Sequence, residues 1–193
     1  MNTQLLVTSR IPSVYGNFTV QAWKSKHEHF PHVVLLNVDP TESKTINVRI
    51  HSECMTGDLF GSTRCDCGEQ FASAMRYLEE HGGIMIYLRQ EGRGIGLVDK
   101  LKAYNLQDEG MDTIHANHAL GYHTDERHYS DAVDILKALD VKCICLLTNN
   151  PDKLDAMANS GITVTDRIPL LVDPRPENRH YLQIKKELMG HLL

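Results

Sequence analysis

The sequence predicts an α/β fold: a mixed sheet with an antiparallel N-terminal part, βα units in the C-terminal half, and helices packed on the sheet. Three observations predict it. The first 50 residues carry four strand signals with no helical stretch between them. After Gly68 the apolar period changes, and helical stretches alternate with short apolar runs. The strand ends of that second half run into turns rich in Gly, Asn and Pro. At 193 residues the chain fits a single domain spanning 1–193, a size that buries about 70% of its unfolded surface.

The elements follow in order. Residues 4–10 and 17–23 read as strands around a turn at Tyr15-Gly16, and the apolar run VVLLNV at 33–38 as a buried strand. Residues 46–50 alternate, so a fourth strand completes the antiparallel start. Phe71, Met75 and Leu78 then recur at helical spacing, until Gly82-Gly83 stops the helix. IMIYL at 84–88 is the next buried strand. It enters the glycine-rich RQEGRGIG at 89–96, then a helix through Leu97, Leu101 and Tyr104. The polar stretch 108–129 offers only a short helix around 117–120. A helix at 131–139 and a strand at 141–147 (VKCICLL) follow. Asn150 then caps a helix with Pro151 at its first position. A strand near 162–165 and a helix at 178–189 complete the chain, without repeats or low-complexity segments.

Chemistry concentrates in residues 49–70, RIHSECMTGDLFGSTRCDCGEQ, which hold Cys54, Cys65 and Cys67 of the five cysteines. The N-terminus lacks a charged-then-apolar leader and no run reaches membrane-spanning length, so a reducing, cytoplasmic location without membrane association is expected. In that setting crowded thiols point to metal or redox chemistry rather than a disulfide framework. Three soft ligands suit zinc (Zn2+) and leave a fourth position for water or substrate. A redox pair or ordinary buried cysteines are the alternatives. Cys143 and Cys145 share a strand face and read as core.

His51 and Glu53 give His-x-Glu, which in zinc nucleobase deaminases supplies a ligand and a general acid/base. The Pro-Cys-x-x-Cys of those enzymes is absent, and His51 reads as a ligand, a substrate contact or a strand-end residue. A net charge of −5 argues against a nucleic-acid binder, yet leaves room for a small anion held by a few arginines. The turn at 89–96 can present backbone N–H groups to such an anion, although it is neither a Walker A sequence nor a Rossmann fingerprint. Thr148 and Lys153 mark a second strand-to-helix turn with cationic equipment. Strand carboxyl ends gather ligands in open α/β sheets. Residue types alone therefore support a zinc-dependent hydrolase of a phosphorylated small molecule.

Several segments together resemble one family. Residues 49–70, RQEGRGIGL at 89–97, Tyr104-Asn105-Leu106-Gln107, Thr124-Asp125-Glu126-Arg127, LLTNNP at 146–151 and HYLQIKKELMGH near the end are similar to GTP cyclohydrolase II in its single-domain form. The resemblance implies hydrolysis of GTP to formate, diphosphate and a diaminopyrimidinone ribosyl monophosphate, in riboflavin synthesis. It implies zinc on Cys54, Cys65 and Cys67, magnesium (Mg2+) bound mainly through the substrate phosphates, and a homodimer. GTP-contacting positions fall on Arg49, Ile50, His51, Ser52, Glu53, Gln70, Glu91, Gly92, Arg93, Thr113, Thr148 and Lys153. Asp125 matches the family's acid/base residue, Arg127 its proposed nucleophile and Tyr104 a tyrosine implicated in ring opening. A zinc-dependent nucleotide deaminase, or a structural zinc module closed by His51 or Cys143, are the competing readings.

Overall fold

The computed structural model describes residues 2–193. Strands β1 (Thr3–Ser13), β2 (Gly16–Ser25) and β3 (His32–Leu36) form an antiparallel meander. β4 (Ile46–Ser52) ends at the short helix α1 (Met55–Asp58), and α2 (Cys67–His81) leads to β5 (Ile84–Leu88). A single 3-10 turn at Glu91–Gly94 precedes α3 (Gly96–Asp108) and α4 (Thr113–Ala119). α5 (Ser130–Ala138), β6 (Cys143–Leu147), α6 (Pro151–Ala158), β7 (Thr163–Ile168) and α7 (Arg179–Leu188) complete the order. The sheet runs β1-β2-β3-β5-β4-β6-β7. It is antiparallel through β3 and β5, and parallel from β5 across β4 and β6 to β7.

This is the mixed sheet the sequence predicts, with one correction. β4 does not belong to the antiparallel start; it lies between β5 and β6, parallel to both. A strand-helix-strand crossover through α2 requires that parallel placement beside β5. The alternation at 46–50 misleads because the second face of β4 is buried as well, under polar residues. Ile46, Val48 and Ile50 enter the core, while Arg49 and His51 are buried on the opposite face.

Helices cover both faces. Ala74, Met75 and Leu78 of α2 pack with Phe18, Met85 and Leu147 on one side. Ala132, Ile135 and Leu136 of α5 and Met157 of α6 pack on the other, against Ile46, Val48, Ile50, Ile84, Ile86 and Ile144. On β6 the period of two gives the core to Ile144 and Leu146. Cys143 and Cys145 are therefore half-buried rather than core, and Cys145 Sγ meets Thr165 Oγ1 at 3.5 Å. The short helix expected at 117–120 is α4, starting earlier because the Asp112 carboxylate accepts from the Ile114 and His115 N–H groups.

One buried network aims the loop after β5. His32 Nδ1 accepts from the Arg89 N–H at 3.0 Å, so its Nε2 carries the proton toward Asp131 at 2.9 Å. Asp131 also accepts from the Ser25 hydroxyl at 2.6 Å.

Candidate active site

The carboxyl ends of β4, β5 and β6 point the same way and open into a cavity of about 570 Å³. β4 delivers Arg49, His51, Ser52 and Glu53 to its wall, the loop after β5 delivers Glu91, Gly92 and Arg93, and the end of β6 delivers Thr148. Gln70, Tyr104, Thr113, Arg127 and Lys153 also line it. Two expected contacts do not. The Ile50 side chain is fully buried in the core, and its carbonyl accepts from Lys153 Nζ at 2.7 Å. Asp125 sits behind Arg127, holding that guanidinium through Nε at 2.9 Å and through Nη2.

Cys54, Cys65 and Cys67 converge at one end as a group able to hold a metal ion, their sulfurs all within 4.8 Å of one another. Cys54 Sγ and Cys65 Sγ stand 3.7 Å apart, far beyond a disulfide bond. The close fit depends on two glycines. A Cβ on Gly57 would lie 3.0 Å from Cys65 Sγ and 3.2 Å from Cys54 Sγ, filling the cradle between the sulfurs. A Cβ on Gly68 would lie 2.3 Å from the Gly57 carbonyl oxygen, inside contact distance. Gly68→Ala is therefore expected to push the two arms of the loop apart and weaken metal retention about 10- to 100-fold, as outer-shell changes do. Competition with a chromogenic chelator measures it, and unchanged retention would refute this packing argument.

His51 is no ligand. Its Nε2 lies 3.1 Å from both oxygens of Asp58, and it stands outside the thiol group. Burial holds its imidazole neutral, with Nδ1 turned to Arg49 at 3.4 Å. Asp58 also accepts from Tyr87 Oη at 2.8 Å and from the Cys54 N–H at 3.0 Å, so it locks the metal loop to the sheet. The four-ligand shells that would close a structural zinc module are not formed among the described residues, since Cys143 stands outside the group too.

Hydrogen bonds from the Cys65 and Cys67 thiols, reinforced by Lys100, hold Cys54 as the thiolate of the trio. The same exchange raises Cys65 to about 11. Tyr104, half-buried beneath Arg64, is pushed up to about 12 by desolvation and keeps its phenolic proton. Among the residues lining the cavity cations outnumber anions. Burial, then the neighbouring Arg49 and Arg127, drives Lys153 well below the usual lysine range. Burial alone would raise the Asp125 carboxyl, but hydrogen bonding and charge from Arg127 hold it below its ordinary value. Both terminal nitrogens of Arg93 are buried with no partner. Arg93 also holds a left-handed backbone, φ 62°, beside Gly94, whose Cβ would meet the Glu126 backbone at 3.0 Å.

The comparison with known families now decides the assignment. Residues 4–169 match the family described as GTP cyclohydrolase II. The chain belongs to the GTP cyclohydrolase II family. A protein named GTP cyclohydrolase-2 from Campylobacter hominis is 48% identical over 193 residues, covering 100% of this chain and 97% of that protein. The GTP cyclohydrolase-2 of Buchnera aphidicola is 46% identical and covers 98% of both chains. Riboflavin biosynthesis protein RibBA from Chlorobium phaeovibrioides is 45% identical over 98% of this chain and 47% of its own length.

This GTP cyclohydrolase II site contains residues that sequence reasoning passed over. Lys100 Nζ donates to Cys54 Sγ at 3.1 Å, Thr56 Oγ1 at 2.9 Å and Glu91 Oε1 at 2.7 Å. It ties the metal loop to the glycine-rich turn. A signal existed: Lys100 stands four residues before Tyr104, on the same helix face. Asp58 gave no such signal, because its partners come from β4 and β5. Lys185, Tyr181 and His191 also line the cavity, within the segment HYLQIKKELMGH that carries the resemblance but to which no role was assigned.

Proposed function

We propose that this chain hydrolyses GTP to 2,5-diamino-6-(5-phospho-ribosylamino)pyrimidin-4-one, formate and diphosphate, the first committed step of riboflavin biosynthesis. The observation that carries the reading is one cavity joining a three-thiol group to a bank of under-compensated cations. Such a cavity suits a substrate with a reactive base at one end and a polyphosphate at the other.

The donor set fits zinc. Sulfurs on a tetrahedral ion at about 2.3 Å stand about 3.8 Å apart, close to the observed 3.7 Å. When bound, zinc supplies Lewis acidity that makes water a nucleophile toward the guanine C8 near neutral pH. The chain's own residues do the rest. Tyr104, kept protonated, donates to the nitrogen released as the imidazole ring opens. Glu91 is already engaged by Lys100, the Met55 N–H at 2.6 Å and the Gly92 N–H at 2.7 Å. Glu53 meets Arg89 at 3.1 Å and faces the cavity, so it is the better acceptor for guanine N1–H and the exocyclic amine. Arg49, Thr148 and Lys153 line the same cavity, and to them we assign the sugar and α-phosphate.

Arg127 addresses the α-phosphate with Asp125 as its partner. The resemblance assigns it as a nucleophile, but two bonds to Asp125 keep the guanidinium charged, and a charged guanidinium is a poor nucleophile. Charge stabilisation is the role this geometry favours. Magnesium would arrive on the substrate phosphates, since the buried carboxylates beside those cations are taken: Asp125 by Arg127, and Asp66 by Lys185. Reduced thiols support a cytoplasmic location, and the exposed Leu5, Leu6 and Val7 on edge strand β1 are compatible with the homodimer implied by the resemblance. No described helix is long and apolar enough to cross a membrane.

One assay tests the reading: GTP with magnesium, following formate, diphosphate and pyrimidine together. Stoichiometric release of all three is expected. Ammonia in place of formate would instead indicate a deaminase, and no turnover would indicate a structural metal module.

A further inference from the structure

The family match covers residues 4–169, while the Campylobacter relative aligns over all 193; residues 170–193 build one wall of the cavity through Glu177, His180, Tyr181, Lys185, Met189 and His191. Taking the GTP reading above as given, we infer that α7 and the segment after it form a working part of the site, in which Lys185 and His191 bind the substrate's phosphate chain.

The wall is fastened at three points. Leu182 and Ile184 bury the apolar face of α7, and Lys185 follows them in, only 8% exposed. Lys185 Nζ donates to Asp66 Oδ1 at 2.6 Å, and Asp66 is the residue between Cys65 and Cys67. After the helix the chain turns back. The His191 N–H donates to the Lys185 carbonyl at 3.0 Å, and the Leu192 N–H to the Asn149 carbonyl at 2.9 Å. The second bond ties this segment to the turn after β6, beside Thr148.

What faces the cavity there is donor-rich. The Tyr181 ring lies 4.6 Å from Lys185 Nζ and 5.5 Å from Arg93 Cζ, a shared platform that spaces two cations. His191 Nε2 is buried with no partner, as are both terminal nitrogens of Arg93. Burial, and after it the charges of Lys185, Arg127, Lys153 and Arg93, holds the His191 imidazole neutral. The carboxylates in reach, Asp66 and Asp125, are already paired. Unsatisfied buried donors among excess positive charge call for an anion with several oxygens. A phosphate chain meets that demand; a single carboxylate would leave donors unmet.

The test uses the full chain loaded with metal, and two unreactive probes: inorganic triphosphate, which has no base, and guanosine, which has no phosphate. In Lys185→Gln and His191→Ala the triphosphate Kd by calorimetry is expected to rise about tenfold, the scale of one charge-assisted hydrogen bond. Guanosine affinity should stay within twofold, and metal content should not fall in His191→Ala, which keeps the Lys185–Asp66 pair; Lys185→Gln is compared with wild type at equal metal loading. Lys185→Arg and His191→Gln, which keep a donor, should recover most of the loss. Equal losses for both probes, or unchanged triphosphate affinity, would overturn the inference. A wild-type chain that releases no formate from GTP would refute the reaction instead, and the triphosphate measurement would still judge this wall.

Discussion

Cys54→Ser will lower formate release from GTP by more than about a thousandfold, the scale of losing the group that makes water nucleophilic at neutral pH. Cys54 is one of the three sulfur donors, and three contacts depend on it: Cys65 Sγ, Thr56 Oγ1 at 3.6 Å and Lys100 Nζ. A hydroxyl in its place is a harder, far less acidic donor, so the remaining two sulfurs form an incomplete site. Metal per chain should therefore fall along with formate. Diphosphate release should fall less, because Arg127 and Asp125 make their bonds to each other and not to the sulfur group. Measuring metal, formate and diphosphate on one preparation separates these effects. Full-rate formate release from a metal-free Cys54→Ser preparation would end the metal assignment.

Arg127→Ala has the second-largest expected effect, a loss of about a thousandfold in diphosphate release, within the range for removing a phosphoryl-stabilising arginine. Ring opening at the thiol group should be less affected, so formate should outrun diphosphate. The variant also leaves Asp125 without its cation. Burial then dominates, and the carboxyl shifts from below its ordinary value to above it. In the wild type a depressed Asp125 stabilises the fold above the unfolded carboxyl pKa, and that contribution is lost as pH falls through the folded value. The stability gap between wild type and variant should therefore be widest near neutral pH and narrow below about pH 4. Rapid quench of the wild type with mass spectrometry distinguishes the two roles for Arg127. No phosphoguanidine adduct is expected; trapping one would restore the nucleophile.

Much of this was legible in the chain itself. The three cysteines announce their chemistry by softness and crowding, and the turns after β5 and β6 declare themselves through glycine and through Asn150-Pro151. The parallel placement of β4 was hidden because alternation reports which side is apolar, not whether the other side is wet. Arg49 and His51 look like solvent-facing residues until α2 is seen to cover them. The roles of Lys185 and His191, inside a segment that carries the resemblance, were hidden for a different reason. Nothing local marks a lysine on an amphipathic helix as the partner of Asp66, a residue 119 positions away. Only the folded path shows it.

The two faces of β4 carry a consequence for how this protein can fail. Along that strand, hydrocarbon and reagents alternate residue by residue, so sliding it one position would drive Arg49 and His51 into the oil and lift Ile50 into the cavity. Folding errors at the centre of the sheet would thus be lethal twice over, to cohesion and to chemistry. The strand admits no intact but idle misalignment.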